Sequence, residues 1–179
     1  MTVFVNFAPI VTGVGICVRD GLAADSIGGV DANFRTCLLV PSFTIPWDNC
    51  QCGQLALAIR RTYSSDTFPA LSTSDNQGKC GPQFQVAEVV ISVARCVPSL
   101  DDEGRPPPCD ALLTAALTVE SDRSSVRQSL ACCLQALWKA QRIGAYAIGD
   151  SITVGDLGGC VAVETALWIG VRSCLCGGT

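Results

Sequence analysis

Apolar and polar positions alternate along this chain with two distinct periods. From Phe7 to Leu22 the residues Ile10, Val11, Val14, Cys17, Val18 and Leu22 recur at spacings of three and four, which predicts a helix weakened by Gly13 and Gly15. Ala24–Asn33 is small and polar and reads as a loop. Arg35–Val40 is a short apolar stretch ended by Pro41, and Pro41–Gly53 an irregular connection. Gln54–Ser64 then switches to a period of two, with Leu55, Leu57, Ile59, Arg61 and Tyr63 opposite Ala56, Ala58, Arg60 and Thr62. Gln83–Val97 repeats that pattern. Both predict strands, paired antiparallel through the Ser65–Pro82 loop.

The longest helical pattern is 110–138. Leu112, Leu113, Ala116 and Leu117 form one turn-spaced set, and Val126, Leu130, Cys133, Leu134 and Leu137 another. Ser121–Ser125 between them predicts a bend or break, with a second helix from about Asp122. Ala145–Val154 and Cys160–Arg172 alternate again around the turn Gly155–Gly159. This order predicts a single α+β domain over 1–179, an antiparallel β-sheet flanked by helices. Residues 1–53 hold the N-terminal helix and connection, and 54–172 the sheet with its helix.

Composition narrows the function. Apolar residues reach 49% and charged residues only 16%, against roughly 25% in ordinary soluble domains. A disordered chain is excluded. The Val3–Val18 run is interrupted by Asn6, Pro9, Gly13 and Gly15 and lacks a basic leader, so neither a spanning helix nor a secretory signal is expected. The apolar excess is expected in the core and in contacts with other subunits. A net charge of −4 disfavours a basic nucleic-acid surface.

The chain has twelve cysteines and no histidine. Without imidazole there is no Ser-His or Cys-His catalytic pair and no mixed zinc site. Cys37, Cys50, Cys52 and Cys80 are the candidates for an all-thiolate zinc cluster or for disulfides. The sequence has no CxxC knuckle, however, and offers no base to activate a thiolate. Cys96 and Cys109 are candidates for a disulfide across the Asp101–Pro108 loop. Cys17, Cys132 and Cys133, on helical patterns, read as small buried hydrophobes. Asp101, Asp102 and Glu103 read as a solvated loop. Gly155–Gly159 matches neither phosphate-binding loop, because a strand follows it. Arg60 and Arg61 are expected on opposite strand faces, in an ion pair. No catalytic residue, cofactor site or metal site is assigned.

Three segments carry a family resemblance: Ala58-Ile59-Arg60-Arg61-Thr62-Tyr63-Ser64-Ser65-Asp66-Thr67-Phe68-Pro69; Val93-Ala94-Arg95-Cys96-Val97-Pro98 with its proline-rich spacer and Cys109; and the Gly158-Gly159-Cys160 hairpin. Together they resemble neck proteins of long-tailed actinobacteriophages, specifically tail terminators, over Leu55–Val171. The resemblance implies an antiparallel sheet flanked by helices and a six-subunit ring. Such a ring ends tail-tube polymerisation and joins tail to head in the virion, with double-stranded DNA passing through its lumen unbound. The implied partners are further copies of the chain, a head–tail stopper or connector, and the tube protein, with no membrane. A stopper, a connector or a tube protein is the near alternative, and a cysteine-rich zinc or redox protein the distant one. Contacts are expected on the long loops, through Ser65, Asp66, Phe68 and Asp75 in one and Asp101 and Asp102 in the other.

Overall fold

The computed structural model describes residues 5–31, 33–41, 53–72, 83–155 and 159–173. The elements in chain order are α1 (Ala8–Asp25), β1 (Arg35–Val40), β2 (Gln54–Ser65), β3 (Gln83–Cys96), α2 (Cys109–Lys139), β4 (Ala145–Val154) and β5 (Cys160–Ser173). They form an α+β fold whose five-stranded sheet has the order β1-β2-β3-β5-β4. β2–β3, β3–β5 and β4–β5 are antiparallel, whereas β1 lies parallel to β2 at the edge.

Both helices pack on one face of the sheet. Val11, Val14, Val18 and Leu22 of α1 and Val126, Leu130 and Leu134 of α2 meet Leu55, Leu57, Val89, Ile91, Val93, Leu167 and Ile169 in one buried core. α1 begins where Pro9 needs no N–H partner, and the Asn6 side chain accepts the Ala8 N–H at 3.0 Å. Gly15 lets β1 and β2 approach, since a Cβ there would stand 3.0 Å from Leu38 and 3.1 Å from Leu57.

The expected break in the long helix is absent: α2 runs unbroken for 31 residues. Its polar stretch is the seam with α1 rather than a hinge. Asp122, Ser125 and Ser129 are buried, and Gly21 of α1 lies so close to Ser129 that a Cβ there would overlap the Ser129 hydroxyl. Small side chains let the two backbones approach, and the packing outweighs the modest propensity cost of serine and aspartate.

Two bulges redirect strand faces. Ile59 pairs with Val89 but Arg61 pairs with Glu88, so beyond the irregularity Arg61 and Tyr63 join Ala56 and Ala58 on the face away from the helices. The expected alternation through Tyr63 is thereby corrected, because one extra residue shifts every later side chain to the other face. The same happens in β4 between Ile148 and Ser151, leaving Tyr146 and Ile148 towards the helices and Ile152 and Val154 on the other face.

A charged knot ties these layers together. Arg95 of β3 donates to Asp122 of α2 through Nε at 2.7 Å and Nη2 at 2.9 Å, and to the Gly29 carbonyl at 2.8 Å. Its guanidinium lies 4.7 Å from the Phe34 ring centre. Ser26, which caps the end of α1, donates its hydroxyl to the same carboxylate. Asp122 is fully buried and Arg95 is 9% exposed.

Removing one partner strands the other charge in the interior. Arg95→Met and Asp122→Leu are each expected to cost about 3–5 kcal/mol, measured by equilibrium urea unfolding. The double variant is expected to cost less than the sum of the two. Single variants as stable as the parent chain would remove the knot from its central role.

Candidate functional site

Two of the resemblance segments meet at one end of the central strands. Cys96 stands in register with Cys160, and the Val97 N–H donates to the Gly159 carbonyl at 2.9 Å. Gly159 holds a φ of +78° there, a conformation that glycine adopts without strain. The third segment folds on itself at the opposite end. The Tyr63 hydroxyl donates to the Pro69 carbonyl at 2.6 Å, and Phe68 packs on Phe84 with ring centres 5.9 Å apart. Gly170 makes room for it, since a Cβ there would stand 2.9 Å from the Phe68 ring.

Arg60 and Arg61 do form ion pairs, with Glu164 at 3.6 Å and Glu88 at 2.6 Å. Both carboxylates come from the sheet face away from the helices, because the bulge brings the two arginines to one side where opposite faces were expected. Arg61 lies 5.0 Å from the Tyr63 ring centre. Burial pushes the Tyr63 hydroxyl above its ordinary pKa of 10.0, opposed by the Arg61 charge and reinforced by Glu88.

The expected contact residues are differently placed. Ser65 ends β2 fully buried and has no surface to present. Phe68 is half-buried against Phe84, while Asp66 is exposed and accepts a hydrogen bond from Ser72. Asp75 lies outside the described residues. The carboxylate of Asp101 accepts the backbone N–H groups of Glu103 and Arg105 at 2.9 and 2.8 Å. Asp102 is exposed in the turn between them.

The cysteines are paired otherwise than expected. Cys109 is a free, exposed thiol, so the Cys96–Cys109 bridge is not formed. Instead a disulfide joins Cys17 of α1 to Cys133 of α2, with Cα atoms 6.6 Å apart and within the normal span for such a bond. Cys160 is also disulfide-bonded. Cys132 is exposed rather than buried, and Cys37 is a half-buried free thiol on β1. Cys50, Cys52 and Cys80 lie outside the described residues. Among the described residues, no three Cys, Asp or Glu side chains converge to hold a metal. No described helix is long and apolar enough to cross a membrane.

A concave feature lies where α2 ends. An open cleft of about 660 Å³ is lined by Trp138, Lys139, Gln141, Arg142, Ile143, Gly144, Val171 and Arg172. Ile143 and Val171 give it an apolar floor, and three cations stand at its rim with no carboxylate among the lining residues. Sequence reasoning missed this site, although basic residues at a helix end are a recognisable signal. At the other end of α2, Leu112, Leu113 and Leu117 are 44%, 60% and 53% exposed. The buried residues of the helix begin only at Val119.

No family model matches the chain, and no curated protein matches it either.

Two measurements check these assignments. Cys17→Ser with Cys133→Ser opens a sequence separation of 116 residues and is expected to lower stability by about 2–4 kcal/mol. Urea unfolding of the double variant against the parent chain, both without reductant, reads the loss. In a Tyr146→Phe background, ultraviolet titration is expected to show Tyr63 ionising above pH 10, and later still with Arg61→Ala. The neutral phenol is the form favoured by folding. Its contribution is therefore complete below the unfolded pKa of 10.0 and is lost as pH rises through the higher folded value.

Proposed function

We propose that this chain is a structural virion protein, a tail terminator that forms a ring at the head-proximal end of a phage tail tube. The observation that carries the reading is where its resemblance segments lie. They fall on the three central strands, Ala58–Ser65 in β2, Val93–Cys96 closing β3 and Cys160 opening β5, with Val97 bonded to Gly159 across two of them and Tyr63 bonded to Pro69 within the third. The resemblance thus falls on the middle of the sheet and on the turns that close its two ends, which supports a shared fold.

The surface supports the same reading. Leucines exposed together on a helix end are a surface that a monomer rarely keeps. Interfaces between copies are poorer in charge than ordinary surface, in keeping with 16% charged residues in the whole chain. In this role the ring stops tube growth, joins the tail to the stopper or connector above it, and lets duplex DNA through. A subunit of net charge −4 favours passage without adhesion, because like charges disfavour contact with phosphate.

The test is location and mass. Antibody labelling of assembled particles is expected to mark one focus at the head–tail junction. The purified chain is expected to run in native mass spectrometry as a closed multiple of 18.7 kDa. Labelling along the whole tail would make the chain a tube protein. A monomer at tens of micromolar, or stoichiometric zinc on that monomer, would overturn the ring.

A further inference from the structure

The two ends of α2 carry complementary surfaces, and we propose that they bind each other between copies of this chain. The projecting start of the helix would seat in the basic cleft at the end of the same helix in the next subunit. This contact rests on the ring reading above and names the surfaces that would build the ring.

The projecting end is apolar and acidic. Residues 109–118 include no buried side chain, and Leu112, Leu113 and Leu117 crowd its exterior. From Ser99 to Glu120 there are five carboxylates, Asp101, Asp102, Glu103, Asp110 and Glu120, against the single Arg105, and of these Glu120 is paired with Arg123. Arg105 is already engaged with Glu103. The receiving end is apolar and basic, with Ile143, Val171 and the half-exposed Trp138 beneath Lys139, Arg142 and Arg172. Its volume of about 660 Å³ is enough for several side chains. Each end thus offers what the other lacks, in apolar contact as well as in charge.

The geometry separates the two surfaces. A helix of 31 residues is about 46 Å long at 1.5 Å per residue, so one copy cannot fold its own start into its own cleft. Arg95 holds Asp122, the fourteenth residue of α2, beside the C-terminal end of β3, so the start of the helix projects past that end, while the cleft residue Arg172 is in register with Phe84 at the other end of that strand. Contacts between different patches at opposite ends are head-to-tail and build rings when the rotation closes.

Native mass and sedimentation of exposed-residue variants test this. Lys139→Glu with Arg142→Glu disables the cleft, and Leu113→Ser with Leu117→Ser disables the projecting end. Each pair is expected to weaken assembly by about tenfold or more, with circular dichroism unchanged. Mixing the two variants is expected to give a 1:1 dimer, because each brings the surface that the other lost. Adding Asp102→Lys and Asp110→Lys to the cleft variant is expected to restore assembly. An oligomer indifferent to both pairs would overturn this contact and leave the ring standing. A parent chain that is monomeric would remove both. Duplex DNA held in the cleft and released by Lys139→Glu/Arg142→Glu, with assembly unchanged, would assign the cations to phosphate and overturn the proposal.

Discussion

A guanidinium buried against a carboxylate must have nearly all its hydrogen-bonding capacity used, or the cost of removing the charges from water exceeds the attraction between them. Arg95 meets that condition through Asp122, the Gly29 carbonyl and the face of Phe34. It does so only because its surroundings are narrow. A Cβ on Gly28 would stand 2.9 Å from the guanidinium carbon, and one on Gly53, at φ +94°, would stand 2.9 Å from the Phe34 ring. The position of Asp122 then sets how far α2 slides along the sheet. With the fourteenth residue of the helix held at the C-terminal end of β3, the preceding turns bury no side chain before Val119. The exposed leucines of α2 are thus a consequence of where one ion pair is anchored.

The strands were largely legible because their period is two and their ends carry glycine, proline or polar runs. What the pattern concealed was the change of face. After Ile59 both parities of β2 are polar, Arg60 to Ser64, so nothing distinguishes the side facing the helices from the other. In β4 the apolar residues Tyr146, Ile148, Ile152 and Val154 all share one parity, and the bulge nevertheless puts the last two across the sheet. The available signal was Gly149. A glycine inside a strand often marks a bulge or a close approach, and a Cβ here would stand 2.5 Å from Trp168. Polar residues in a helix are equally ambiguous. Ser121–Ser125 looks like a breaker until a second helix and a buried arginine supply partners for it.

Cysteine pairing was the least legible part. Spacing places Cys17 and Cys133 on helical faces, but only the crossing of α1 over α2 brings them within 6.6 Å, and no local pattern encodes that crossing. Cys96 and Cys109 fail for the converse reason. The loop between them is short, yet Cys96 closes β3 facing Cys160 while Cys109 opens the projecting end of α2. The cleft was hidden in the same way, since Arg172 and Lys139 are 33 residues apart and meet only because β5 returns beneath the end of the helix.

The scarcity of charge acquires a sense from where the charges lie. Arg95 and Asp122 are consumed in the interior, and Arg60, Arg61, Glu88 and Glu164 are paired on the sheet. Among the charges outside these pairs, those on and beside α2 divide into an acidic end and a basic end. Charge at a protein contact contributes more to orientation and rate of encounter than to affinity, whereas apolar area supplies most of the binding. Both ends of α2 combine the two: leucines with carboxylates at the start, and Ile143 and Val171 with Lys139, Arg142 and Arg172 at the finish. Two like ends would repel, so the same segregation that attracts unlike ends disfavours contact between two starts or between two finishes.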